Sequence, residues 1–196
     1  MRACLKNALR QLMFIAALMA ALSFARAAES ESLKTNGMPL GTAGTLEVLT
    51  PPDWILVQTN LGMVNFGPIF ELHAPRDTTT IRIYTSWDGF KGTSVKPTEA
   101  EMSTIVSNIV ATQYLPVAKE KTFDLEKLKG PNVSGVFARI TDSKWTLLET
   151  NTYPNIATGM FRSGNIWGNF DLLTNDKDGP QFKTGLKVLE SLRRKP

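Results

Sequence analysis

Residues 155–194 constrain the fold more than any other stretch, because they read as strand, tight turn, strand, acidic turn and helix in direct succession. Ile166, Phe170 and Leu172 alternate with Trp167, Asn169 and Asp171, the period-two signature of a strand with one buried face. Ser163-Gly164 interrupts the pattern where a hairpin turn would fall. The polar run Asn175-Asp176-Lys177-Asp178-Gly179 ends the strand, and Pro180 stands where a helix can begin. Phe182, Leu186, Leu189 and Leu192 then recur at helical spacing as one apolar stripe. One hairpin and one helix cannot enclose a core, so the rest of the chain must supply further strands.

It does so. Strands are predicted over residues 45–50, 54–58, 69–73, 80–86, 133–141 and 145–149, separated by proline, glycine and asparagine turns. In 54–58, Trp54 and Leu56 share one face and Ile55 and Val57 the other. In 80–86, Ile81 and Ile83 alternate with Arg82 and Tyr84, which predicts one buried and one wet face. Residues 117–129 read as a charged edge strand with Phe123 and Leu125 on its apolar side, where lysines discourage stray pairing. Thr98 and Glu101 have capping-box spacing, and Met102, Ile105, Val106, Ile109, Val110 and Tyr114 follow as a helical stripe that Pro116 closes. The expected class is α+β, a mostly antiparallel sheet packed by two amphipathic helices.

The N-terminus has the pattern of an export signal. Arg2, Lys6 and Arg10 precede an uncharged run of 11 residues, 12–22, and Ala25-Arg26-Ala27 follows as a small-x-small cleavage site. The run is well below the roughly 20 apolar residues of a membrane-spanning helix. Cys4 precedes it, which argues against a lipid-anchored product. The predicted organisation is a cleaved signal over 1–27, a flexible leader over 28–44 with Gly37, Gly41 and Gly44, and a single domain over 45–196. Of the 22 basic residues, the 4 at Arg2, Lys6, Arg10 and Arg26 leave with the signal, so 18 remain against 18 acidic ones. The high isoelectric point therefore belongs to the signal, and nucleic acid is not an expected partner. Cleavage also removes the only cysteine, so the exported chain must be held by its core rather than by disulfides.

Motifs for catalysis are scarce. His73 is the only histidine, which excludes a site with two histidine ligands, and no cysteine ligand survives cleavage. No Gly-x-Ser-x-Gly elbow presents a serine to it. Setting Gly179 at the sixth position of a calcium loop puts Thr174 at the first and Gly185 at the twelfth, where Asp and Glu are required, so that turn reads as a helix cap. Neither a Walker loop nor a dinucleotide fingerprint occurs. No catalytic residue, metal or cofactor is assigned. The most suggestive patch is Trp87-Asp88-Gly89-Phe90-Lys91-Gly92, two large aromatics in a glycine-containing loop. Trp87, Asp88, Phe90 and Lys91 are the candidate partner-binding residues; the alternative is that both rings fold back onto the sheet.

Two segments carry a resemblance: Pro51-Pro52-Asp53-Trp54, and Met160-Phe161-Arg162-Ser163-Gly164-Asn165 through Leu189-Glu190-Ser191-Leu192. With this order of elements, the chain resembles the PsbP-like family, which includes Mog-type and DcrB-type proteins. Asp53 stands where that family more often has glycine. The resemblance implies an α/β/α sandwich around an antiparallel sheet and a mostly non-enzymatic role, as in assembly factors, accessory subunits and binding proteins. It carries no catalytic residue across.

These readings converge on a periplasmic or secreted binding or accessory protein that docks a protein partner or an envelope component, without spanning the membrane and with a monomer as the expected state. The alternatives are a small-ligand or lipid carrier with a cavity between sheet and helix, and a hydrolase without a recognisable motif. N-terminal sequencing of the exported protein is expected to begin at Ala28; a chain that retains Met1 would overturn the cleavage assignment.

Overall fold

The computed structural model describes residues 32–59, 67–90, 95–142 and 153–196. The signal expected over 1–27, the strand expected over 145–149 and Lys91 lie outside the described residues. Residues 34–196 form one compact unit.

Alternation builds the central sheet. Strand β8 (Asn155–Ser163) turns at Gly164, whose φ of +62° suits a glycine, into β9 (Ile166–Thr174). On the other side of β9 lies β5 (Thr79–Trp87), paired along its whole length from Thr79↔Thr174 to Trp87↔Ile166. Strands β3 (Ile55–Thr59) and β4 (Ile69–His73) extend the sheet beyond β5; β7 (Ser134–Thr141) and β6 (Glu126–Lys129) extend it beyond β8. The order is β3-β4-β5-β9-β8-β7-β6, seven strands, every pair antiparallel.

One face carries the main core. Phe70, Ile81, Ile83, Phe161, Phe170 and Leu172 point into it from the sheet. Helix α2 (Pro180–Glu190) covers them with Phe182, Val188 and Leu189. Its Gly185 allows the close approach, since a Cβ there would lie 2.4 Å from a methyl of Leu172. The acidic turn caps this helix as expected: the Asp176 carboxylate accepts from the backbone N–H of Gln181 at 3.1 Å and of Phe182 at 3.0 Å.

A second, three-stranded sheet completes this layer, and the sequence reading missed it. Residues expected in a flexible leader form β1 (Lys34–Pro39), which pairs with β2 (Thr45–Thr50), and Met38 and Leu40 are buried. The third strand, β10 (Arg193–Lys195), pairs with the other edge of β2. Arg193 donates to Glu47 at 2.8 Å and Lys195 reaches it at 3.4 Å, so a charged chain end is held across the sheet.

Helix α1 (Glu99–Ile109), continued as a π turn over Val110–Tyr114, lies on the opposite face over β7 and β8. Met102, Val106 and Val110 pack against Val136, Ala138, Ile140 and Met160 as a smaller core. The molecule is thus an α/β/α sandwich of the α+β class, a mostly antiparallel sheet between two helices. Ile105, expected in the buried stripe, is exposed at the margin of the helix. The edge strand expected over 117–129 is confined to β6, where Leu128 is buried; Phe123 and Leu125 pack half-buried beneath α1.

The capping box is formed: Glu101 N–H donates to Thr98 Oγ1 at 3.3 Å and Thr98 N–H to Glu101 Oε2 at 2.7 Å. Thr98→Ala is expected to lower stability by about 1 kcal/mol. An unchanged urea midpoint for that variant would show that the cap contributes nothing.

Candidate functional site

Helix α1 covers only part of its face. In-register partners share a side of the sheet, so the row Val136, Met160, Asn169, Tyr84 runs from beneath α1 out onto β5. The next row places Thr158, Asp171, Arg82 and Glu71 on the same side. At the far edge, β3 brings Ile55 opposite His73 and Val57 opposite Glu71. The side of β5 expected to be simply wet is therefore a structured polar surface bordered by α1.

Its outer part is a network of charges and hydroxyls. Glu71 accepts from Arg82 Nε at 2.9 Å and from His73 Nε2 at 3.1 Å. With the ring proton on Nε2, His73 Nδ1 accepts from Thr80 Oγ1 at 3.2 Å, and the Thr80 hydroxyl meets Tyr153 OH at 2.9 Å. The single histidine is thus tied into the sheet surface.

Its inner part is a cleft of about 420 Å³ between α1 and strands β5, β9 and β8. Val106 and Ile109 form an apolar wall; Tyr84, Gln113, Tyr114, Thr158, Asn169 and Asp171 supply the polar groups. Asp171 keeps some surface open to the cleft while the fold surrounds it. That burial raises its pKa above the ordinary 3.8, against hydrogen bonds from Thr158, Tyr114 and Tyr84 and the charge of Arg82, which favour ionisation. The Tyr114 hydroxyl donates to Asp171 Oδ1 at 3.4 Å. Burial likewise pushes Tyr84 up to about 12 and Tyr114 upward, so both phenols remain protonated.

Asn169 lines the cleft, but its Oδ1 is sealed from water. Asn169 Oδ1 is buried without a hydrogen-bond partner, and so are Trp167 Nε1 and Ser86 Oγ, which face each other in register one step further along β9 and β5. Most buried polar atoms are paired, so three orphans on one patch of one face mark it out. Trp167 also lines a shallower groove of about 490 Å³ with Val95, Pro97, Ala100 and Ile105 beside the start of α1.

The structure brings Trp87, Asp88 and Phe90 together at the end of β5, away from the cleft. Trp87 packs half-buried against the main core, and its ring centroid lies 4.4 Å from that of Phe90. Asp88 is exposed, accepts from the Lys96 backbone N–H at 2.7 Å and donates its own N–H to the Asn165 carbonyl at 3.1 Å. Among the described residues, no group of three or more His, Cys, Asp or Glu is placed to hold a metal. The cleft residues were missed because their sequence signal, polar side chains alternating along a central strand, is the same as that of a solvated face.

The chain is similar to the solution structure of cyanobacterial PsbP (CyanoP) from Synechocystis sp. PCC 6803, with a TM-score of 0.49 and 13% identity, over 84% of this chain and 94% of that one. No family model matches the chain, and no curated protein matches it.

Because the folded-state pKa of Asp171 is raised, ionising it opposes folding: stability is fully present below pH 3.8 and falls as pH rises through the folded value. Asp171→Asn is therefore expected to raise the melting temperature at pH 7, a gain of about 1 kcal/mol reading as roughly 2–4 °C in a domain of this size. The gain should vanish below pH 3.8, where wild-type Asp171 is itself neutral. A destabilised variant at pH 7 would mean that the carboxylate is held by its partners rather than opposed by burial.

Proposed function

We propose that this protein acts by binding, without catalysis of its own, after export to the periplasm or beyond, and that the cleft beside α1 is its ligand seat. The observation that carries this reading is a cleft of about 420 Å³ in which an apolar wall, Val106 and Ile109, faces hydroxyls, amides and one carboxyl. Small-molecule pockets combine apolar walls with a few polar groups that orient the ligand in this way.

A second reading, docking of a protein partner, is favoured by strand β3. Ile55 is 64% and Val57 42% exposed on an edge strand without a charged residue, whereas the opposite edge, β6, carries Lys127 and Lys129. Uncharged open edges are templates for strand addition. The Trp87–Phe90 loop is a weaker docking surface, because its rings are half-buried against each other.

A thermal-shift screen of chemically varied small molecules separates the two. At a hundredfold excess over its Kd, a cleft ligand contributes about 2.7 kcal/mol, or roughly 5–10 °C, and Asn169→Leu should abolish the shift. A library without hits, together with an envelope protein captured by the wild type but not by Val57→Lys, would replace the ligand reading with the docking one.

A further inference from the structure

We propose that the cleft takes a neutral, hydroxyl-rich ligand of saccharide size, an inference that rests on reading the cleft as a ligand seat. The polar groups around it are two phenols, the Thr158 hydroxyl, the Gln113 and Asn169 amides and the Asp171 carboxyl. The phenols, the hydroxyl and the amides each both donate and accept, or carry a donor and an acceptor side by side. An alcohol O–H matches such a set whichever way each group is turned, because it too donates and accepts.

Charge excludes the alternatives. Arg82 lies directly across from Asp171 in register, so a cation entering the cleft meets a guanidinium behind the carboxyl. An anion meets the Glu71 carboxylate one strand further out. Arg82 and Glu71 pair at 2.9 Å and burial disfavours the charged form of Asp171, so neither kind of ligand finds a free counter-charge. A purely apolar ligand would strip water from the Gln113 amide and the other polar groups lining the cleft without replacing its hydrogen bonds. A hydroxyl ligand replaces those hydrogen bonds, and Val106 and Ile109 face its C–H surface. Small-molecule pockets run from roughly 300 to 1,000 Å³, so a cleft of about 420 Å³ suits one or two sugar rings rather than a long chain. Sites built to hydrogen-bond a hydroxyl discriminate strongly against analogues that lack it.

The test is NMR titration of the exported protein with glucose and maltose, with glucosamine as the cationic probe, glucuronate as the anionic probe and 1-octanol as the apolar one. Probes are taken to about 10 mM, enough to fill a millimolar site. The reporters are the Asn169 side-chain amide and the Trp167 indole N–H. The expected result is that glucose or maltose shifts both signals, with affinity at least tenfold weaker in Asn169→Leu and in Gln113→Ala. Gln113 is exposed on the helix, so its variant keeps the fold. Glucosamine, glucuronate or octanol binding tenfold more tightly than the neutral sugars would overturn the ligand class and leave the seat standing. No shift with any probe would remove both.

Discussion

Strand β9 lies at the centre of the sheet and faces two different environments at once. Phe170 and Leu172 are fully buried in the main core, while Asn169 and Asp171 sit on the side of α1. Side chains alternate with a period of two, so sliding β9 by one residue against β5 or β8 would drive Asp171 into hydrocarbon and turn Phe170 toward the cleft. An unpaired carboxylate in an apolar interior costs several kcal/mol, a large fraction of a domain's total stability. The nine-residue ladders on either side of β9 therefore hold one register, and the remaining strands, both helices and the cleft take their positions from it.

The two faces of the sheet are covered unequally. Helix α2 and the three-stranded sheet cover one face, with Met38, Leu46 and Val48 joined to the same core as Phe170. On the other face, α1 packs chiefly over β7 and β8. Beyond its margin, β4 and β5 present residues that satisfy one another: Arg82 and His73 on Glu71, then Thr80 with Tyr153. A surface so paired needs no apolar cover. The cleft forms at the boundary between these two solutions, where the apolar flank of α1 meets the polar rows of β5 and β9.

Much of this was legible in the sequence, and the failures have identifiable causes. The β8–β9 hairpin, the capping box at Thr98, the Asp176 turn and the stripes of both helices follow from local rules of alternation, capping and helical periodicity. The three-stranded sheet does not. Residues 34–39 include Asn36, Gly37 and Pro39, all poor strand formers, and Arg193 to Lys195 are three charged residues in a row. These segments are extended because β2 offers both of its edges and Glu47 anchors Arg193 across 146 positions of sequence. Pairing at that distance leaves no periodic trace in either partner. Ile105 shows the converse failure: it has the right spacing for the stripe, but α1 is rolled toward β7, and the residue falls at the uncovered margin.

The cleft was illegible for a different reason. Polar residues alternating on a strand have the same pattern whether they face water or a cavity, and only the position of α1 distinguishes the two. Trp87 and Phe90 were conspicuous as large rings in a loop, and Trp87 packs on Phe90 and on the core, which accounts for its place. Asn169, Asp171 and Ser86 have no such account. Valine or threonine at these positions would suit a central strand better, with no dry carbonyl, no orphan hydroxyl and no carboxyl raised by burial. Sequences are broadly consistent from local propensity to global packing, and the places where that consistency breaks are where selection for something other than stability has acted. Among the described residues, Asn169, Asp171, Trp167 and Ser86 gather on one side of two adjacent strands beside α1, which is the physical reason for placing the proposed ligand seat there.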